Sequence, residues 1–301
     1  MNPTARSVIV SPADLAAALA GHQPPVLLDA SFDLTDADAG ARNFTAAHIP
    51  GSLYVHLDRD LCAPTTGRNG RHPLPDRADF ARTLGALGIG PNRPVVTLDR
   101  QGGAYAARLW WMLRWLGHAE VAELDGGFAA WLTAGGASTS HTDSEATTTA
   151  QTSGKGSTPA RLTSGAAAYP ERVPLMPCVE ADELTKRIGL SVVLDARSPE
   201  RFRGDKEPID AVAGHIPGAL NRFHTSNLDE GRFKSAERLR SEFLAAIGSR
   251  NASEVIHSCG SGVTACHNLL AMEHAGLTGS LLYAGSWSEW SSDPERPIAR
   301  G

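Results

Sequence analysis

The chain has 301 residues, of which 42% are hydrophobic and 20% charged, and its formal net charge is -5. That length accommodates two ordinary domains, and the mildly acidic balance leaves no basic footprint for nucleic acid. No apolar run is long enough to span a bilayer, and Met1 to Ser7 lack the apolar core of a secretory signal. The four cysteines (Cys62, Cys178, Cys259, Cys266) follow no zinc spacing, so reduced thiols in a cytoplasmic protein are expected, with no metal and no membrane partner.

In chain order, Ser11-Pro12-Ala13-Asp14-Leu15 reads as a helix start, with a serine N-cap, proline at the first helical position and an acidic first turn. Val26 to Ala30 reads as a buried strand that carries Asp29 near its end. His48-Ile49-Pro50-Gly51 forms a turn, Val95 to Asp99 a second strand, and Ala106 to Leu116 a strongly apolar helix. Val121 to Leu124 is a third strand, and Asp125-Gly126-Gly127 turns into a helix through Phe128 and Trp131.

The same order then returns. Val192 to Ala196 matches Val26 to Ala30 at an offset of 166, and His215-Ile216-Pro217-Gly218 matches the first such turn at 167. The Val255 strand matches the Val95 strand at 160, and Ala284 to Trp290 matches Asp125 to Trp131 at 159. Ordered matches with drifting offsets indicate a duplicated domain with small loop changes. Strands alternating with helices imply an α/β fold, a parallel sheet covered on both faces. Between the halves, Gly135 to Pro159 is rich in Ser, Thr and Gly and reads as an exposed linker.

Chemistry concentrates at Ser258-Cys259-Gly260-Ser261-Gly262-Val263-Thr264. It follows the Val255-Ile256-His257 run and precedes an apolar helix expected over His267 to His274 and ended by Gly276. A cysteine at such a strand-to-helix turn lies under the amides that open the helix, which favour an anion there, and glycines let the backbone curl around it. A cysteine phosphatase would need an arginine six positions after its cysteine, and that position is Ala265. The bland alternative is a buried structural thiol.

The run Cys-Gly-Ser-Gly-Val-Thr resembles the active-site loop of the rhodanese superfamily, in particular its mercaptopyruvate sulfurtransferase branch. The thiosulfate-preferring branch more often carries basic residues after the cysteine. The resemblance implies two tandem rhodanese-like domains over residues 1–136 and 160–301, joined by a linker at 137–159. Asp99 stands where Cys259 would be in the first half, so only the second half is expected to be catalytic. The chemistry implied is double displacement: Cys259 takes sulfur from a small anionic donor, mercaptopyruvate or thiosulfate. As a persulfide it then passes that sulfur to cyanide or a thiol, thioredoxin among them, without a cofactor. A sulfur-carrier or redox-regulatory binding module with little turnover on small donors is the alternative from another class.

Arg201, in Arg-Phe-Arg-Gly, corresponds to the family's donor-binding arginine, and Gly260, Gly262, Val263 and Thr264 are expected to line the donor site with it. Arg197 is expected to brace the domain against a carboxylate, and Arg203 to serve either way. The branch often places a second arginine just after a Glu-Pro; here Glu207-Pro208 is followed by Ile209, a departure that makes thiosulfate more credible as donor. Arg71-His72-Pro73-Leu74-Pro75 resembles a segment that delivers a histidine to the cleft, and the implied proton relay is His72, Ser261 and Asp60. His48 and His215 read as turn histidines, Trp287 and Trp290 as core, and Cys266 as a buried bystander.

Overall fold

The computed structural model describes residues 7–141, 167–170 and 172–301. Its first five strands are β1 (Ile9–Val10), β2 (Val26–Asp29), β3 (Leu53–Tyr54), β4 (Val95–Leu98) and β5 (Val121–Leu124). They form one sheet in the order β1-β5-β4-β2-β3, with every pairing parallel. The repeat supplies β6 (Val192–Asp195), β7 (Leu220–Asn221), β8 (Leu228–Asp229), β9 (Arg232–Phe233), β10 (Val255–Ser258) and β11 (Leu281–Leu282). A second parallel sheet runs β11-β10-β6-β7, and β8 and β9 make a separate antiparallel hairpin.

The central strands are buried throughout because helices cover both faces of each sheet, which is why they read as continuous apolar runs rather than alternating ones. Register puts Asp29 opposite Leu98 and Asp195 opposite Ser258, so in both halves a carboxylate lies beside the strand end that precedes the loop. Ser11 caps the first helix as expected, its Oγ accepting the Asp14 N–H at 3.1 Å. His48 and His215 are turn histidines. Each Nδ1 donates to a backbone oxygen at 2.8 Å, that of Phe44 and Phe202 respectively, and each ring stacks on the same phenylalanine.

The halves share one apolar core. The helix Ala106–Trp115 of the first packs on the helix Thr264–His274 of the second, bringing Trp110 and Trp111 together with Ala265, Leu269 and Leu270. These two helices follow the two loops, so their packing sets the loops at the interface.

Two boundaries differ from expectation. Thr139 exchanges both backbone hydrogen bonds with His48, and the His141 N–H reaches Thr45, so the chain stays on the first domain five residues past the expected boundary at 136. Tyr169 and Leu175 donate backbone N–H groups to Ala81 and Arg114 of that same domain, so this stretch also belongs physically to the first half rather than the second. The Tyr169 side chain is 3% exposed, within the core that both halves share. Most of the expected linker, 142–159, lies outside the described residues.

Candidate active site

β10 carries the chain to Cys259, and the helix Thr264–His274 begins five residues on, three earlier than expected. The intervening turn is tight because Gly262 adopts φ +76°, where a Cβ would collide with the Ala284 carbonyl. That conformation aims the Gly262 N–H at Cys259 Sγ, 3.1 Å away. From below, Ser286 Oγ accepts the Cys259 N–H at 3.0 Å and donates to the Tyr283 carbonyl at 2.9 Å. Ser286 is one of two non-glycine residues with positive φ among the described residues, at +53°. The backbone tolerates that disfavoured conformation because it puts the hydroxyl under the loop. The carbonyls of Cys259 and Gly260 accept the N–H groups of Trp287 and Ser288, so the loop is pinned along its length. Trp287 and Trp290 themselves are fully buried core residues.

Cys259 sits at a cavity of about 240 Å³ lined by both domains: the second supplies Gly260, Ser261, Val263, Thr264, Arg197 and Arg201, the first Leu34, Arg71, His72 and Tyr105. His72 Nδ1 lies 2.7 Å from Ser261 Oγ, a contact that bridges the domains. Burial, reinforced by the nearby Arg108 and Arg71 guanidiniums, pushes His72 down to about 3, so its ring is neutral. With Asp58 Oδ1 3.5 Å from Nε2, the Nε2–H tautomer fits best, which leaves Nδ1 to accept the Ser261 O–H. The carboxylate beside His72 is thus Asp58 rather than the expected Asp60. In the short helix Leu57–Asp60, residues two apart point to different sides, and Asp60 turns back to accept the His56 N–H at 2.8 Å.

Arg201 lines the cavity as expected, its Nε and Nη2 held by Glu207 at 2.7 to 3.1 Å and Nη2 also by Asp210 at 3.1 Å. Arg197 braces the domain, bonding both Asp195 oxygens, Glu207 and the Gly214 carbonyl while lying over Trp287. Arg203 is a half-exposed partner of Asp205. Ile209 is exposed. Its neighbour Asp210 instead pairs with Arg71, so a second guanidinium reaches the cavity from the first domain.

Arg108 is fully buried and donates to the Gly262 carbonyl at 3.1 Å and the His72 carbonyl at 3.2 Å, tying the loop to the segment that faces it. Cys266 donates its S–H to the Gly262 carbonyl at 3.2 Å, and burial pushes its thiol up to about 12, as suits a bystander. All four cysteines are free thiols. No cluster of three potential metal ligands and no helix long and apolar enough to cross a membrane occurs among the described residues.

Sequence reasoning missed Arg71, Arg108, Ser286 and Asp58 as members of this site. Signals existed for two of them. Arg108 is a cation inside an otherwise apolar helix, and Ser286 stands 159 residues after Gly127, where the repeat has a glycine.

A cysteine loop at a strand end, a second copy without the sulfur and a cleft between the two define a tandem-domain sulfurtransferase. Residues 11–134 and 180–293 each match the rhodanese-like domain, and the chain belongs to the rhodanese family. It is 45% identical over 279 residues to a Pseudomonas aeruginosa protein named probable 3-mercaptopyruvate sulfurtransferase, covering 92% of each chain. It is 36% identical over 287 residues to the human 3-mercaptopyruvate sulfurtransferase, covering 93% of this chain and 90% of that one. The solved 3-mercaptopyruvate sulfurtransferase of Leishmania major superposes with a TM-score of 0.79 at 31% identity, covering 97% of this chain and 76% of that one. The enzyme is a sulfurtransferase, with a sulfur donor and an acceptor as its substrates.

Proposed function

We propose that the enzyme transfers sulfur from 3-mercaptopyruvate to a thiol or cyanide through a persulfide on Cys259. The Cys259 thiolate attacks the donor's sulfur, the carbon–sulfur bond breaks, and its electron pair leaves on the methylene carbon as the enolate of pyruvate. The thiol proton of the donor ends on that carbon, giving pyruvate and Cys259-S-S⁻. Cyanide or a thiolate then attacks the outer sulfur and releases the Cys259 thiolate.

The observation that carries this reading is the 2.7 Å contact between Ser261 and His72 across the domain interface, on the cavity that holds Cys259. A neutral imidazole that accepts the Ser261 O–H has the protonation state needed to take the donor's thiol proton through the hydroxyl and return it to the enolate. Asp58 faces the opposite ring nitrogen and stabilises the transient imidazolium. The Gly262 N–H holds sulfur charge at Cys259, so Gly262 serves the sulfur rather than lining the donor cavity as expected, and Arg201 with the loop residues Gly260, Val263 and Thr264 surrounds the donor. The names of the Pseudomonas and human relatives support mercaptopyruvate, a Mycobacterium tuberculosis relative at 36% identity is named for thiosulfate, and the small cavity suits a donor of a few heavy atoms. Free cysteines suit a reducing cytoplasm, where thioredoxin is one available dithiol acceptor.

Intact-protein mass after incubation with mercaptopyruvate tests the reading. A gain of one sulfur atom on the wild type, absent from Cys259→Ser and reversed by cyanide, is expected. No gain with mercaptopyruvate or with thiosulfate would sink the persulfide mechanism, and the ratio of the two rates sets the donor.

A further inference from the structure

Two guanidiniums converge above the sulfur loop. The position a Cβ on Gly260 would take lies 2.8 Å from Arg71 Nη2 and 3.5 Å from both Nη1 and Nη2 of Arg201. They are not equivalent. The Nε/Nη2 edge of Arg201, the edge that forms two parallel hydrogen bonds with a carboxylate, is already occupied by Glu207. Arg71 spends only Nη1, on Asp210. Its own Nε/Nη2 edge carries no side-chain or backbone acceptor among the described residues, and the Nε–H is buried without a partner. An unpartnered buried donor on a cavity-lining arginine is costly, and a carboxylate entering this cavity can accept from Nε and Nη2 together.

We infer that Arg71, contributed by the domain without the cysteine, is the residue that grips the donor's carboxylate, with Arg201 offering its remaining Nη1–H. The inference rests on the proposed donor class, a small carboxylate that carries the transferable sulfur. It makes the donor site a two-domain construction. Arg71 is held for the task twice over: its side chain is anchored by Asp210, and its backbone N–H donates to Ser288 Oγ at 3.0 Å, beside the residues that pin the loop.

Binding of pyruvate, the donor skeleton without sulfur, to the Cys259→Ser protein tests this apart from sulfur transfer. Arg71→Met should weaken pyruvate binding roughly ten- to a hundredfold, as loss of a charge-assisted pair does, and Arg71→Lys should recover only part. In the enzyme with intact Cys259, the same variants should raise KM for mercaptopyruvate far more than they lower kcat. Asp210→Asn separates the roles. If Arg71 grips the donor, Asp210→Asn, whose amide oxygen still accepts from Arg71 and Arg201, keeps most of the pyruvate affinity that Arg71→Met loses. If Arg71 merely braces Asp210, Asp210→Asn reproduces the Arg71→Met defect, and the inference is overturned. Equal pyruvate affinity in Arg71→Met and the parent, or no pyruvate binding by the parent, also overturns it. Neither result touches the persulfide reading, which stands or falls on the sulfur gain at Cys259.

Discussion

Each domain ends a central strand in a turn before a helix, at Asp99 in the first and Cys259 in the second, and the two turns are built alike. The Asp99 carbonyl accepts the Phe128 N–H at 3.0 Å, and the Cys259 carbonyl accepts the Trp287 N–H at 3.0 Å. The difference lies in what fills the cradle. The Asp99 carboxylate takes four backbone N–H groups, from Gln101, Gly103, Tyr105 and Ala106, at 2.8 to 3.0 Å. The cradle is saturated by the protein's own anion and admits no ligand. In the second domain, one N–H rests on Cys259 Sγ and the loop opens onto the cavity. The comparison shows that this turn is an anion holder first, and that catalysis is the case in which the anion is a sulfur with room above it.

The sharpest way to break the comparison is at the sulfur. Cys259→Ser should lower turnover by more than about 10⁴-fold while the fold persists, since the loop is held by its backbone. Asp99→Cys should form no persulfide, because the first cradle lacks an open face; a sulfur gain at residue 99 in mass spectrometry would refute the account. Next in size, Asp99→Ala should cost about 3 kcal/mol in denaturant unfolding, because it orphans four N–H groups, those of Gly103 and Ala106 buried and those of Gln101 and Tyr105 partly so. Its effect on the rate per folded molecule should be far smaller.

His72→Asn should slow mercaptopyruvate turnover about 10²-fold, the scale of a lost proton-transfer group. Because His72 is held down to about 3, the wild-type kcat profile should show no inflection from this group near its ordinary 6.5. The sign for stability follows. Below 6.5 the unfolded chain takes up a proton at His72 that the folded protein refuses until about 3. The stability of wild type relative to His72→Asn should therefore fall as pH drops through that window, measured as paired unfolding curves. Smallest is the Ser286 test. Ser286→Ala orphans the Cys259 N–H and keeps the strained backbone, costing about 1–2 kcal/mol. Ser286→Gly relieves the strain, as Gly127 does at the matching place, and should cost less. The reverse order would mean that the positive φ is not strained here.

Much of this was legible before any coordinates. The ordered repeat carried the two parallel sheets, the glycine-containing turn carried the sulfur site, and Asp99 at the matching position marked the inactive half. Arg197 was readable as a brace because a cation just after a strand that ends in Asp195 has its partner two residues away. The Asp58 and Asp60 choice was not legible, since it depends on the direction a one-turn helix presents to a segment from elsewhere in the chain. Nor was the boundary after residue 136, because the Thr139 pairing with His48 is a long-range backbone bridge with no side-chain pattern.

By itself, then, the sequence determined the class of fold, the duplication and which copy keeps the nucleophile. These rest on local signals: strand periodicity, turn glycines and the identity of one residue in a loop. Tertiary structure alone decided who faces that nucleophile. Ser261 meets His72, and Gly260 meets Arg71, only because apolar burial packs the helix Ala106–Trp115 against Thr264–His274 and so sets one domain's loop segment over the other's sulfur. Burial is non-directional along the chain, so no spacing in the sequence records which distant residues it brings together.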